Sequence, residues 1–456
     1  MVKAENSQYT DLYKSKLISA KDAAKIIKSG DKLLYAAFLG RPVDFDKELA
    51  ARKEELFNIQ ITQNAGIQPD YITTSTDSTH EHFTCSSWFF DAADRWLSDK
   101  NIVFYNPIVF SQQQIIIRSG IFKYDIYVQQ VSPIDKFGFF SFGPTNAYSL
   151  ESCLNAKTVI LEVNENIPRV PGGAEDSIHI SLVDHIIEGS NTSLATLPKD
   201  KGSLDAETKM AKMILEMIPN RACLQLGIGK LPNTIGDLLC DSDLKDLGIH
   251  TEVFVDSMVK MFNAGLITGR YKTTDRCKMA FTFALGSAEL YEFMNNNSAV
   301  ASHCGKYITN PEIAATNDNL ITINNAIMVD LFGQVCSESA GPRQISGTGG
   351  QLDFVMAPFK SKGGKSFLCL SSAHAGKDGD LATRIVPVLP EGSIVTTPRA
   401  LVDYIVTENG VVNLRGKSAW ERAELLISLA HDKFKDDLVS AARKMNIWRK
   451  TSKIPE

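Results

Sequence analysis

The sequence of 456 residues lacks long apolar runs and any excess of basic residues. No stretch approaches the ~18 uninterrupted apolar residues that a membrane-spanning helix needs. The first residues, MVKAENSQYT, have no apolar segment behind Lys3, so we expect no signal peptide. A net charge of −5 argues against nucleic acid as a partner, because such proteins usually carry a basic face. These absences predict a cytoplasmic protein with no membrane or nucleic-acid partner.

The sequence also lacks a metal-binding or disulfide pattern. Its eight cysteines are scattered and form no CxxC pair, and several lie in apolar runs such as SFLCLSS. Free, mostly buried thiols in a reducing compartment are therefore expected. The HEH triplet at 80–82 has no second ligand pair at a suitable spacing, so no metal site is expected.

The sequence contains segments that resemble nucleotide-binding motifs, but each segment lacks one glycine that its motif requires. A Walker A motif needs glycine at 359 for SKGGKSF and at 411 for RGKS, where the sequence has Phe359 and Val411. The LGIGKLP loop has Pro232 where a dinucleotide-binding loop needs its third glycine. We therefore exclude a Walker-type triphosphate site and the dinucleotide fingerprint.

Helical and strand-like segments alternate along the chain. Ser19 is expected to cap a helix that ends near Gly30 and leads into a strand. Further strand-like runs recur through the sequence: NIQITQ, NIVFYN, YDIYVQQV, TVILEV, ACLQLGIG, KMAFTFAL, LITIN and SFLCLSS. This alternation predicts an α/β protein with largely parallel sheets. The polar, unpatterned stretch 189–203 predicts a linker, with domains at 1–195 and 196–456.

Two glycine-rich loops are candidates for ligand contact. In LQLGIGKLPN a strand ends at Gly227-Ile-Gly229 and a helix begins near Pro232, so backbone amides could face an anion. In SGTGGQLDF, 346–354, glycines would allow a ligand to approach the backbone closely. For the first loop taken alone, a turn that serves packing is the better explanation.

One carboxylate stands at the edge of an apolar run. In LGIHTEVFVDSM, 247–258, Gly248 is expected to end a helix, and Val253, Phe254 and Val255 favour a strand. Glu252 precedes those three residues, and burial of an unpaired carboxylate is costly. A solvated or ion-paired glutamate is the ordinary explanation, and a functional one is the alternative.

Six ordered motifs carry a family resemblance: ACLQLGIGKLPN, LGIHTEVFVD, ITINNAIMVDLFGQVCSESAG, QISGTGGQLDF, SKGGKSFLCLSS and WERAELLISLAH. Together they resemble the family I CoA-transferases, especially those of the butyryl-CoA:acetate and 4-hydroxybutyrate types. The resemblance runs the length of the chain. It implies two related open α/β domains with the active site between them.

The resemblance assigns Glu252 as the catalytic nucleophile. A glutamate of ordinary pKa, ~4.3, is ionised at neutral pH and needs no base to activate it. It would attack an acyl-CoA thioester and form a mixed anhydride, which the CoA thiolate would convert into a γ-glutamyl-CoA thioester. One thioester is exchanged for another, so no cofactor or metal is required, and coenzyme A enters as substrate.

The resemblance also assigns the contacts to CoA. They comprise the first loop, two backbone positions and one lysine: Gly227, Ile228, Gly229, Lys230, Leu231, Ile327, Gly350 and Lys362. Lys362 would pair with a CoA phosphate, with Lys365 as the alternative. Amides near Ile228 and the side chain of Asn310 are candidate oxyanion donors, although Asn310 could equally cap a loop.

The implied substrates are a short-chain acyl-CoA, such as butyryl-CoA, and acetate as the acceptor. A dicarboxylate acceptor would need a cation, for which Arg41 and Arg95 are candidates. Two alternatives remain: an acyl-CoA hydrolase that uses the same Glu252, and a CoA-binding module without catalysis. A homodimer or homotetramer is expected from the resemblance.

Overall fold

The fold is described from a computed structural model, which covers residues 8–66, 72–197, 205–376 and 379–451. Within these ranges the α-helices are α1 (Thr10–Lys16), α2 (Ala20–Lys25), α3 (Asp44–Ala50), α4 (Ile72–Thr76), α5 (Ala92–Ser98), α6 (Gln113–Arg118), α7 (Ser149–Asn155), α8 (Asp205–Leu215), α9 (Lys230–Cys240), α10 (Asp256–Asn263), α11 (Ala288–Met294), α12 (Gly305–Ile308), α13 (Pro311–Ala314), α14 (Gln351–Lys360), α15 (Ala419–Leu429) and α16 (Asp432–Lys444). Short 3₁₀ turns occur at Phe38–Gly40, Lys53–Glu55, Phe110–Gln112 and Ile180–Leu182. No helix in the described ranges combines the length and apolar character needed to cross a bilayer.

The strands alternate with these helices. They are β1 (Lys32–Tyr35), β2 (Ile59–Gln63), β3 (Phe83–Ser87), β4 (Val103–Tyr105), β5 (Ile126–Val131), β6 (Phe139–Ser141), β7 (Thr158–Val163), β8 (Ser177–His179), β9 (His185–Glu188), β10 (Cys223–Leu226), β11 (Gly248–Phe254), β12 (Met279–Ala284), β13 (Val300–Ser302), β14 (Leu320–Asn325), β15 (Met328–Asp330), β16 (Val335–Cys336), β17 (Ser339–Ala340), β18 (Arg343–Gln344), β19 (Lys365–Cys369), β20 (Ala373–Ala375), β21 (Leu381–Thr383), β22 (Ile385–Val386), β23 (Tyr404–Thr407) and β24 (Gly410–Asn413).

The chain forms two units, and the first is discontinuous. It comprises Met1–Pro198, Glu252–Asp256 and Lys278–Asn310, while the second comprises Lys199–Thr251, Ser257–Cys277 and Pro311–Glu456. This division differs from a single boundary between 195 and 196. The reason is that β12 and the start of α12 bond to an early loop: the Asn146 amide donates to the Thr282 carbonyl, and the Gly305 amide to that of Ala147.

A seven-stranded sheet forms the centre of the first unit, in the order β4-β3-β2-β1-β5-β7-β9. Every neighbouring pair is parallel. Its central strands are buried on both faces, as in IYVQQV and TVILEV, because helices cover parallel sheets on both sides. Ile59, Val128 and Ile160 are fully buried in this core.

The second unit contains the strand order β10-β14-β19-β23-β24, with the Gly248–Thr251 part of β11 beside β10. Its pairs are parallel except for the terminal hairpin β23–β24. Val355, Leu368 and Ile405 pack in its core with the amphipathic helix α15. The predicted α/β architecture with largely parallel sheets and two units is therefore confirmed.

The predicted cap at Ser19 is confirmed, whereas α2 ends at Lys25 rather than near Gly30, and the prediction at Gly248 is wrong. Ser19 accepts a hydrogen bond from the Asp22 amide and caps α2, and Gly30 has a positive φ of 90°. Gly248, however, opens β11 rather than ending a helix, since α9 ends at Cys240. A Cβ at Gly248 would lie 2.7 Å from Cγ of Lys272, so close packing explains this glycine. Of the predicted linker, residues 198–203 lie outside the described residues.

The cysteines are free thiols, as expected. Cys240 is partly buried and Cys277 exposed, whereas the other six are buried.

Candidate active site

Glu252 lies within β11 rather than at its entrance. The other six residues of this strand are buried, and Glu252 alone is half-buried. The preceding residue, Thr251, donates a hydrogen bond from Oγ1 to the Leu226 carbonyl at 3.2 Å, and Leu226 is the last residue of β10. Glu252 therefore occupies a fixed strand position while its side chain keeps access to solvent.

The first glycine loop joins β10 to α9. Gly229 has a φ of 116°, a conformation that favours glycine, and it provides no side-chain cap for the helix. The Asn325 side chain donates to the Ile228 carbonyl at 3.2 Å and so fastens the loop to the end of β14. Amides in the uncapped first turn of a helix favour an anion. Ile228, Gly229 and Lys230 are exposed, while Leu231 is buried.

A reciprocal amide pair braces the strands beneath this loop. Gln225 donates from Nε2 to Oδ1 of Asn324 at 3.2 Å, and Asn324 donates back to Oε1 of Gln225 at 3.0 Å. Both side chains are buried. The pair links β10 to β14 at their carboxyl ends, which positions the loop against the backbone of Asn325.

The other two predicted CoA contacts also lie at the carboxyl edge of this sheet. Ile327 follows β14 and is half-buried, and its amide donates to the Cys336 carbonyl at 2.9 Å. Gly350 precedes α14, which connects the parallel neighbours β14 and β19 and so begins at the carboxyl edge. Gly350 provides no side-chain cap, so the first turn of α14 repeats the feature seen at α9.

A buried carboxylate holds the loop before α14. Glu338 is 2 % exposed. Its carboxylate accepts hydrogen bonds from the side-chain Nε2 of Gln344 at 3.1 Å and from the Thr348 hydroxyl at 3.3 Å. Its backbone carbonyl accepts from the amides of Ile345 and Ser346. Sequence reasoning missed Glu338, because a glutamate in SESAG carries no local sign of burial.

The two lysine candidates lie at the opposite edge of the sheet. The Lys362 carbonyl accepts from the Asn319 amide at 2.7 Å, directly before β14 begins. The six residues of β14 span ~20 Å at ~3.3 Å per residue, so Lys362 is not brought together with the Gly227 loop. Its side chain is exposed, whereas Lys365 donates from Nζ to the Met217 carbonyl at 2.7 Å. The pairing of either lysine with a CoA phosphate stays a prediction.

A buried lysine near β11 is a further feature that the sequence did not reveal. Lys272 is 3 % exposed and donates from Nζ to the Ile249 carbonyl at 2.7 Å. Burial lowers the pKa of this ammonium group. Its stem fills the space that a side chain at residue 248 would occupy, so it supports the strand that leads to Glu252. The glycine in LGIHTE was the only local signal.

Of the three remaining candidates, Asn310 and Arg41 occupy different surroundings. Asn310 is half-buried between α12 and α13 in the first unit, and its assignment as an oxyanion donor stays a prediction. Arg41 is 1 % exposed and pairs with Asp46 at 3.2 Å. Asp46 also accepts from the Tyr35 hydroxyl at 3.1 Å. Arg41 is therefore committed to a buried ion pair and is poorly suited to bind an acceptor carboxylate.

Comparison with known families decides the affiliation. The acetyl-CoA hydrolase/transferase N-terminal domain matches residues 1–198, and the acetyl-CoA hydrolase/transferase C-terminal domain matches residues 286–442. The chain belongs to the acetyl-CoA hydrolase/transferase family. This agrees with the resemblance that six motifs carry in the sequence.

Individual relatives cover nearly the whole chain. The butyryl-CoA:acetate CoA-transferase of Anaerostipes caccae is 45% identical over 98% of this chain and 100% of its own length. The 4-hydroxybutyrate coenzyme A transferase of Clostridium kluyveri is 36% identical over 96% and 99%. The crystal structure of RipA from Yersinia pestis superposes with a TM-score of 0.87 at 35% identity, over 96% and 100%. An acetyl-CoA hydrolase of Yarrowia lipolytica is more distant, at 26% identity over 69% of this chain and 65% of its own.

Proposed function

We propose that this protein is a CoA-transferase that moves CoA from a short-chain acyl-CoA, butyryl-CoA in particular, to acetate. The observation that carries the proposal is the half-buried Glu252 on an otherwise buried strand. The identity to CoA-transferases over nearly the full chain supports the same activity. The greater distance of the acetyl-CoA hydrolase favours transfer over hydrolysis.

The reaction proceeds by exchange of acyl groups at Glu252. A carboxylate oxygen of Glu252 attacks the thioester carbonyl, the C–S bond breaks, and CoA leaves as a thiolate with an acyl-glutamyl anhydride behind it. The thiolate attacks the glutamyl carbonyl and expels butyrate, which leaves γ-glutamyl-CoA. Acetate repeats these steps in reverse order and departs as acetyl-CoA, which restores the carboxylate. Atoms and charge balance without a further reactant.

The carboxyl edge of the second unit supplies groups suited to CoA. The amides of the uncapped α9 turn and the exposed Lys230 favour a negatively charged group. Gly350 likewise gives α14 no side-chain cap, and the Gln351 amide there donates to the Thr348 carbonyl at 3.3 Å. Each addition step places negative charge on a carbonyl oxygen, and a backbone amide near Ile228 is a suitable donor for it.

Trapping of the intermediate tests the proposal. We expect butyryl-CoA, added without a free acceptor, to leave CoA on Glu252 as a thioester that borohydride reduces and hydroxylamine cleaves. Peptide mass analysis should locate the modification on Glu252 alone. The Glu252→Gln variant should bind CoA but lose exchange by on the order of 10⁴-fold or more, as expected for loss of a nucleophile.

Two controls separate the alternatives. Glu424→Gln changes a partly buried glutamate of α15, and it should retain both the adduct and the exchange activity. Release of butyrate at the same rate with and without acetate would show a hydrolase. An adduct on another residue would refute the role of Glu252, and absence of both adduct and exchange would support a CoA-binding module without catalysis.

A further inference from the structure

A cavity of about 790 Å³ opens on the first unit, and none of the residues assigned to CoA transfer lines it. Its loops, at 132–135 and 165–169, directly follow β5 and β7, and a third wall, at 193–196, follows β9. Ligands of parallel α/β sheets bind beyond the carboxyl ends of the strands. The volume also falls in the range of small-molecule sites, ~300–1,000 Å³.

The walls of this cavity are held in place by hydrogen bonds from several elements. The Arg169 amide donates to Oδ1 of Asn295 at 3.0 Å and joins the loop after β7 to the end of α11. The Tyr291 hydroxyl donates to the Ala195 carbonyl at 2.7 Å and joins α11 to the third wall. Asn166 donates from Nδ2 to the Asn191 carbonyl at 2.7 Å. These hydrogen bonds fix the walls of the cavity relative to one another.

The charges around the cavity disfavour anions. Its one lining cation, Arg169, pairs with Asp135 and donates to the Phe139 carbonyl, so the guanidinium is already occupied. Glu165 and Glu292 add two carboxylates to the lining. Among the described residues Glu292 makes no ion pair and no side-chain hydrogen bond, and it is exposed. Phosphates of CoA and carboxylate substrates would therefore meet repulsion here.

The floor of the cavity is apolar. Ile134 and Ile167 are buried beneath it, and Pro168 lies beside them. A ligand that fits both features has an apolar body and one positively charged end. We propose that this cavity binds a cationic organic ligand of the ammonium type, with Glu292 as its charge partner.

Three probes that share a six-carbon chain and differ in the charge of one end test the proposal: hexylammonium, hexan-1-ol and hexanesulfonate. Each is titrated into the full chain, and calorimetry measures its dissociation constant. Hexylammonium should bind about fivefold more tightly than hexan-1-ol, the advantage of one partly exposed charge pair, and hexanesulfonate more weakly than both. Glu292→Gln should remove that advantage. Glu391→Gln, an exposed glutamate of the second unit, should leave it unchanged.

A second variant keeps the test independent of Glu292. Ala288 lines the cavity and is exposed on α11, so Ala288→Arg adds a cation without loss of a buried contact. This variant should bind hexylammonium more weakly and hexanesulfonate more tightly than the unmodified protein does. Equal binding of the three probes, no binding of hexylammonium, or preference of the unmodified protein for hexanesulfonate would each overturn the proposal. None of these outcomes depends on whether the protein transfers CoA.

Discussion

The two ends of the parallel strands in the second unit differ in how their polar groups are satisfied. At the amino edge, the backbone carbonyl of Lys362 and the hydroxyl of Ser361 accept hydrogen bonds from the chain at Asn319 and Leu320. At the carboxyl edge, α9 and α14 begin at glycines that provide no side-chain cap. An edge that satisfies its own groups stabilises the fold, whereas an edge that leaves amides available is suited to a ligand.

A pair of glycine variants, one at each edge, tests this difference between the edges and should give the largest change in catalytic efficiency. Gly229 and Gly363 both have positive φ, at 116° and 75°, so alanine is strained at either position. Gly229→Ala should lower kcat/KM for butyryl-CoA by about 10²–10³-fold, the cost of losing one oxyanion donor. Steady-state exchange assays with acetate as acceptor measure this loss.

Gly363→Ala is the matched control at the amino edge. Its Cβ would lie 2.3 Å from Oδ1 of Asn319, so the free energy of unfolding should fall by about 1–3 kcal/mol. The kcat/KM of the folded enzyme should stay within about twofold. Equal kinetic losses in the two variants would show that the edges do not differ in function.

The second comparison concerns the two ends of α14. Glu338→Gln replaces the buried carboxylate that holds the loop before this helix. We expect it to lower the free energy of unfolding by about 1–3 kcal/mol, because buried donors lose a charged acceptor. The KM for acyl-CoA should rise as well, since the Gly350 region loses its support. Denaturant titration and steady-state kinetics measure the two effects.

The control for this variant is the exposed ion pair at the other end of the helix. Lys360 pairs with Glu312, and both side chains are more than half exposed. Glu312→Gln should therefore change stability by less than about 1 kcal/mol and leave KM unaltered. If it raised KM as much as Glu338→Gln, the loop before α14 would have no special role.

The sequence predicts the strands and the candidate nucleophile Glu252. It does not predict at which edge of the sheet the candidate CoA contacts lie. Continuous runs of β-forming residues such as TVILEV predict buried parallel strands, because both faces must be apolar. Lys362 and Gly350 lie in adjacent motifs, yet the ten residues of α14 lie between them, which is ~15 Å of helix. Motif order carries no information on which edge of a sheet a residue occupies.

Long-range packing explains the remaining differences. Gly248 resembles a helix terminator in sequence, and only its contact with Lys272, 24 residues later, shows that it makes room for a buried lysine. The return of β12 and the start of α12 to the first unit depends on hydrogen bonds to residues 146–147, which no local pattern encodes.

The smallest expected effect comes from a pair of exposed lysines at the two edges. Lys230 opens α9 at the carboxyl edge, while Lys362 lies at the amino edge. Lys230→Ala should raise the KM for butyryl-CoA by up to about fivefold, the effect of one exposed charge pair, with little change in kcat. Higher salt should reduce this difference in KM, because exposed charges are screened.

Lys362→Ala is the control. It should change KM by less than about twofold at any salt concentration, since the length of β14 separates Lys362 from the Gly227 loop. A larger, salt-sensitive increase in KM for Lys362→Ala than for Lys230→Ala would place the phosphates of CoA at the amino edge, in agreement with the assignment that the resemblance implies.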